Sequence, residues 1–184
     1  MVVFDNTALS LLLRPDARPP LDPATGAPVA FAQERLAALV QTLQRTRAVV
    51  IIPSPTLSEL LIRAGSAGPG LLDVIQKSSA FPIGAFDTRA AVELAQRTNA
   101  SLTTRRERRE TAAAPWAKIR FDRQIVAIAK VHGATAIYSD DEDLIGFAEQ
   151  QGIPCVRVRD LPIPESARQP QLPLPPPPSD ETQA

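Results

Sequence analysis

Acidic residues recur along this chain at places where they could hold a cation. Asp5 follows the apolar run "MVVF", and Glu59 lies in "PTLSELLIRAG" just after "AVVII". Asp122 lies in "FDRQIVAIAKVHG", and Asp140, Asp141, Glu142 and Asp143 crowd together after "TAIYS". Like charges this close repel, and beside a core they also lose solvation. A divalent cation among them removes the repulsion, and a set of hard oxygen donors suits Mg²⁺ or Mn²⁺. A cation held this way permits hydrolytic chemistry such as phosphodiester cleavage, which needs an attacking water of lowered pKa and a neutralised phosphate. The expected catalytic set is Asp5, Glu59, Asp122 and Asp141, with Asp143 open between a further ligand and a supporting position.

The elements that would position these acids alternate between strand and helix. "MVVF", "AVVII", "TAIYS" and "PCVRV" read as short apolar strands, and "FPIGAF" as a short extended piece. Continuous apolar runs of this kind suit strands buried on both faces. Between them, "DNTALSLLL", residues 31–46, "PTLSELLIRAG", "GLLDVIQKSS", "DTRAAVELAQRT", "FDRQIVAIAKVHG" and "DEDLIGFAEQQG" carry helical spacing and stops. The expectation is a three-layer α/β/α sandwich around a mostly parallel sheet. Ligands of open α/β sheets bind beyond the carboxyl ends of the strands, so the acids are expected to gather at one edge. Asp122 is expected to open its helix there.

Each acid also has a plain structural role available. Asp5 is a good N-cap, Thr56 and Glu59 have capping-box spacing, and so do Ser139 and Glu142. Asp122 could offset a helix dipole. These roles explain the acids singly but not their shared edge. Glu142 is assigned to capping and Asp140 to solvent.

The 184 residues suit one domain with a tail, and Lys plus Arg (20) balances Asp plus Glu (20). Zero net charge gives no global attraction to nucleic acid, so a polyanion must meet a local patch or metal ions. The single cysteine, Cys155, allows no intramolecular disulfide, fits a reducing compartment and reads as a core residue. The opening "MVVFDN" does not read as a signal peptide, and no apolar run is long enough to span a bilayer. A cytoplasmic protein is expected. Many of the 19 prolines fall in residues 14–28, read as a long loop, and in the stretch from Leu161 onward. Residues 162–184 are expected to form a disordered, partly polyproline-II tail after a domain at 1–161.

Four segments, taken in order, resemble the PIN-domain family. They are "VVFDNTALS", "IIPSPTLSELL", "DRQIVAIA" and the (Thr/Ser)-x-Asp-x-Asp pattern on Ser139, Asp141 and Asp143. The resemblance covers about residues 1–161. It implies a metal-dependent nuclease, most often an endoribonuclease, and many members are VapC-type toxins, usually dimeric and inhibited by a cognate protein antitoxin. It implies Asp5, Asp122 and Asp141, with Asp143, as ligands of Mg²⁺ or Mn²⁺, Glu59 binding metal or orienting the nucleophile, and Asn6 and Ser139 hydrogen-bonding behind them. The chain differs in a longer loop at 14–30, a basic segment at 103–113 and the proline-rich end.

For phosphate contact the sequence offers Arg105 and Arg106 in "TTRRERRE", with Arg120 and Arg123 flanking Asp122. A solvated helix face with Glu107 and Glu110 as partners explains the first pair equally. Trp116 could stack a base but reads as packing, and His132, the one histidine, is given no catalytic role. One His and one Cys cannot build a zinc site, and no glycine-rich phosphate loop is present. Phosphoaspartyl chemistry would want a second acid at Thr7. The competing readings are a metal-free interaction module, with the proline-rich tail as a ligand for a partner, and a DNA-directed nuclease.

Overall fold

The structure is a computed structural model that describes residues 1–101 and 116–168, with side chains over 1–96 and 121–168. Five strands form one parallel sheet: β1 (Val2–Phe4), β2 (Val50–Pro53), β3 (Ile83–Gly84), β4 (Ile137–Tyr138) and β5 (Cys155–Val156), in the order β3-β2-β1-β4-β5. Helices α1 (Asn6–Leu13) and α2 (Ala32–Arg45) connect β1 to β2. α3 (Ser54–Ala64) and α4 (Gly68–Lys77) lead to β3, α5 (Thr88–Ser101) and α6 (Trp116–Val131) lead to β4, α7 (Glu142–Gln150) leads to β5, and α8 (Glu165–Arg168) follows.

The strands are short and apolar because both faces are covered. Val2, Phe4 and Val50 pack with Leu11, Leu36 and Val40 of α1 and α2 on one face. Val3, Ile51 and Ile137 pack with Ile125, Ile128 and Leu144 of α6 and α7 on the other. A third cluster, Leu9, Ile52, Leu60 and Ile75, locks α1, α3 and α4 to the sheet. Gly84 is required where β3 meets this packing, since a Cβ there would sit 2.7 Å from Ile128 and 2.8 Å from Ile51.

This strand order places a topological switch between β1 and β4. The chain moves outward from β1 through β2 to β3, then returns to lay β4 on the other side of β1. A crevice opens beyond the carboxyl ends at such a point. The β1–β4 register pairs Phe4 with Tyr138, so Asp5 and Ser139 emerge side by side.

Several local expectations need correction. α6 begins at Trp116, so Asp122 lies inside the helix rather than opening it. α3 begins at Ser54 with Pro55 in its first turn, and buried Thr56 does not cap it. The N-cap of α7 is Asp141, whose side chain accepts from the Asp143 and Leu144 amides, rather than Ser139 with Glu142. Glu142 instead pairs with Arg157, Nη2 to Oε2 being 2.8 Å. Asp140 does not face solvent freely. It accepts from the Val158 amide at 3.3 Å, and burial raises its carboxyl pKa. Cys155 is half-buried beside the core, and burial pushes its thiol to about 11. In the proline-rich end, α8 forms over Glu165–Arg168, while residues 169–184 lie outside the described residues. Among the described residues no helix is long and apolar enough to cross a membrane.

Candidate metal centre and cleft

A cleft of about 690 Å³ opens at the switch point. Asp5, Asn6, Glu59, Asp122 and Asp141 all line it, so the edge predicted for the acids is where they gather.

Two strand–turn–helix junctions build its floor. Asp5 leaves β1 with its amide bonded to the Tyr138 carbonyl at 3.1 Å, and its Oδ1 accepts from the Ala8 amide at 3.0 Å, capping α1. Its Oδ2 accepts from Ser139 Oγ at 2.5 Å. The same hydroxyl oxygen accepts from the Asp141 amide at 3.0 Å, linking the two junctions. Asp141 Oδ1 then caps α7, with the Asp143 amide at 2.9 Å and the Leu144 amide at 3.3 Å. Both helix N-termini therefore point at the floor, where their partial positive charge favours carboxylates.

Burial decides the state of Asp5. The residue is 4 % exposed, and loss of solvation pushes its carboxyl up to about 7 despite the bonds from Ser139 and Ala8. Nearby Asp140 raises it further.

Among the described residues, the carboxylates of Asp122, Asp141 and Asp143 form one group, each offering one oxygen within 4.8 Å of the others. Asp143 is exposed, Asp141 is half-buried, and one oxygen of Asp122 is enclosed. α6 brings Asp122 to the end of α7, which it packs against. Three hard oxygen donors at this spacing fit Mg²⁺ or Mn²⁺, which need only a few carboxylates and keep several waters. Of the four expected ligands, the geometry brings three together, while Asp5 stands outside that triad in the same cleft. Glu59 reaches the cleft from α3, which packs against both α1 and α6.

Among the expected phosphate contacts, the structure describes the side chain of Arg123. Arg123 lies 5.2 Å over the Phe147 ring and does not line the cleft. Arg105 and Arg106, and the side chains of Trp116 and Arg120, lie outside the described residues. Among the described residues, the arginines at the cleft are Arg14, Arg18 and Arg63, none of which the sequence reading singled out. A signal existed for Arg63 alone, four residues beyond Glu59 on one helix face. Arg14 and Arg18 belong to the proline-rich loop, whose path no periodicity announces.

No protein-family model matches the sequence, and neither does any curated protein. Among solved structures, a chain of VapBC2 from Rickettsia felis, determined bound to a DNA fragment from their promoter, aligns with a TM-score of 0.51. Identity is 14 %, over 85 % of this chain and 98 % of that one. VapC20 of Mycobacterium tuberculosis, a sarcin–ricin loop cleaving toxin, aligns with a TM-score of 0.46 and 14 % identity over 80 % of this chain and 95 % of that one. With its all-parallel five-stranded sheet between two helical layers, this chain has the PIN-like α/β/α fold.

Proposed function

We propose that the protein is a Mg²⁺- or Mn²⁺-dependent endoribonuclease, the toxin of a toxin–antitoxin pair, working in the cytoplasm as a homodimer held in check by a protein antitoxin. The observation that carries the nuclease reading is the triad Asp122, Asp141 and Asp143, two of whose members, Asp122 and Asp141, line the cleft together with Asp5 and Glu59. The four acidic segments in PIN-like order, on a PIN-like fold, support the toxin role.

Asp122, Asp141 and Asp143 would hold the metal, with Asp5 beside them. When bound there, the metal would supply a water of lowered pKa and neutralise charge on the phosphate. Glu59, across the cleft on α3, orients the attacking water and accepts its proton. Ser139 fixes the Asp5 carboxylate and, through the Asp141 amide, the start of α7. Without a cation the acids repel phosphate, so the metal-free protein binds substrate poorly.

The test incubates the protein with labelled RNA and single-stranded DNA in Mg²⁺, Mn²⁺ or EDTA, beside Asp122→Asn. RNA cleavage is expected with either metal, none in EDTA, and a loss of about 10²-fold or more in the variant. Cleavage of DNA alone would replace RNA as substrate. Activity that survives EDTA and the substitution would remove the site. No cleavage and no metal-dependent rise in melting temperature would leave the interaction module as the reading.

A further inference from the structure

The cleft is more than its acids. Among the described residues, three arginines line it against five acidic residues: Asp5, Asp16, Glu59, Asp122 and Asp141. One of those acids, Asp16, has no part in the floor. It sits on the loop after α1 and grips Arg14 with both oxygens, Nη2 to Oδ2 at 2.7 Å and Nε to Oδ1 at 3.3 Å. A carboxylate in this fork occupies the donors that a phosphate would take, since guanidinium pairs with both in the same two-pronged way.

The two partners are held differently. The backbone around Arg14 is tied down, with Gln33 Nε2 donating to the Pro15 carbonyl at 3.1 Å and to that of Arg14 at 3.5 Å. The Arg14 side chain is 26 % exposed and Asp16 is 72 % exposed. An exposed pair two residues apart contributes little to stability and is easily exchanged. The guanidinium is the less exposed member, and the carboxylate, open to solvent, is the more readily replaced.

From this placement we propose that Arg14 is the substrate-binding residue of the cleft for a backbone phosphate of single-stranded RNA, that Arg18 and Arg63 extend its rim, and that Asp16 occupies the Arg14 fork until that phosphate displaces it. This rests on the nuclease reading above and deepens it. The loop acts as a gate on charge. A strand enters by exchanging its phosphate for Asp16, while the metal-holding triad lies on other elements.

The test reads binding apart from cleavage. Glu59→Gln, which leaves the triad intact, is used as a background in Mg²⁺, and anisotropy follows a fluorescein-labelled single-stranded RNA and a DNA of the same sequence. Arg14→Ala is expected to weaken RNA binding about tenfold and to lower the salt slope by about 0.7, the value for one lost single-strand phosphate contact. Arg14→Lys keeps the charge without the fork and falls between. Asp16→Asn is expected to do the opposite, tightening binding several-fold, a gain that a misfolded variant would not show. Wild-type affinity in Arg14→Ala, or no gain in Asp16→Asn, overturns the proposal even if the protein cleaves RNA. The expected pair of shifts would uphold the rim even if no cleavage were found. Equal shifts on DNA would uphold the phosphate contact and remove the restriction to RNA.

Discussion

The floor of the cleft and its arginine rim are built by different means. Asp5 and Asp141 stand at junctions where a strand ends and a helix begins, and backbone amides grip both carboxylates. The parallel register of β1 with β4 sets their neighbours, so Ser139 meets Asp5 without any long side chain having to reach. Arg14 and Arg18 sit on an irregular loop between α1 and α2, which is held by local turns such as the Ala17 amide to the Arg14 carbonyl at 3.0 Å and a Leu21–Pro28 bridge, and by two side-chain ties to the rest of the fold: Gln33 near its start and the Arg159–Asp22 pair further on. Carboxylates held by the ladder and helix ends suit a metal, which tolerates little error in ligand position. Charges on a tethered loop suit a strand of nucleic acid, whose phosphates must be met wherever they arrive. The contrast predicts that floor substitutions act on chemistry and stability together, while rim substitutions act on binding.

The largest effect is expected at Asp141, which caps α7 and in the proposed site would also hold the metal. Asp141→Asn keeps a capping oxygen and removes the charge, so cleavage should fall about 10³-fold while the fold survives. Asp141→Ala should lose as much activity and a further ~1 kcal/mol of stability with the cap. Equal melting temperatures for the two variants in EDTA would contradict the cap, and retained cleavage in either would detach Asp141 from the metal.

Next comes Asp5, whose signature is pH. In the unfolded chain its carboxyl titrates near ~3.9, and in the folded metal-free protein near about 7. Between these values the native state holds a proton that the unfolded state releases. Stability from this group therefore falls as pH rises from about 4 to about 7 and is level above. In EDTA, wild type minus Asp5→Asn should show that decline, a few kcal/mol at most. Subtracting the variant cancels carboxylates such as Asp16 and Glu142, whose lowered pKa values drive stability the other way. Added Mg²⁺ should flatten the decline, because a nearby cation favours the ionised form. A difference that does not vary with pH would mean that Asp5 is not the desolvated acid the geometry makes it.

The same contrast explains how much of the molecule could be read in advance. The strands, the helices between them and the edge where Asp5, Glu59 and Asp141 meet follow from apolar runs and periodicity, which are local signals. Asp122 was found by type but misplaced within its helix, because the polar stretch before it hid the start at Trp116. Asp141 was recognised as an acid of the site and passed over as the cap, since Ser139 and Glu142 carry the more familiar spacing. Asp140 was read as solvent-facing because the chain that covers it, at Val158, lies 18 residues on. Arg14 and Arg18 were missed for the same reason on a larger scale. The distant ties of their loop run from Gln33 to the Arg14 and Pro15 carbonyls and from Arg159 to Asp22, and no residue near the arginines in sequence records those contacts.

The smallest effect separates the two ends of the loop. Asp22 accepts from Arg159 Nη1 at 2.9 Å and also from the Ala24 amide at 2.9 Å, closing a turn. Asp22→Asn keeps the turn and weakens only the ion pair. Both partners are about one-third exposed, at 32 % and 30 %, so the pair is worth roughly 0–1 kcal/mol and should be screened by salt. Arg159 is itself braced, its carbonyl accepting from Arg35 Nη1 at 2.8 Å, so its own position should survive the loss. RNA binding should then weaken less in Asp22→Asn than in Gln33→Ala, which frees the carbonyls of Arg14 and Pro15 themselves. If the two variants weaken binding equally, the loop moves as one body and Arg14 is positioned from its far end. If neither does, the Arg14 fork is set by α1 alone, and the rim is as firmly built into the fold as the floor.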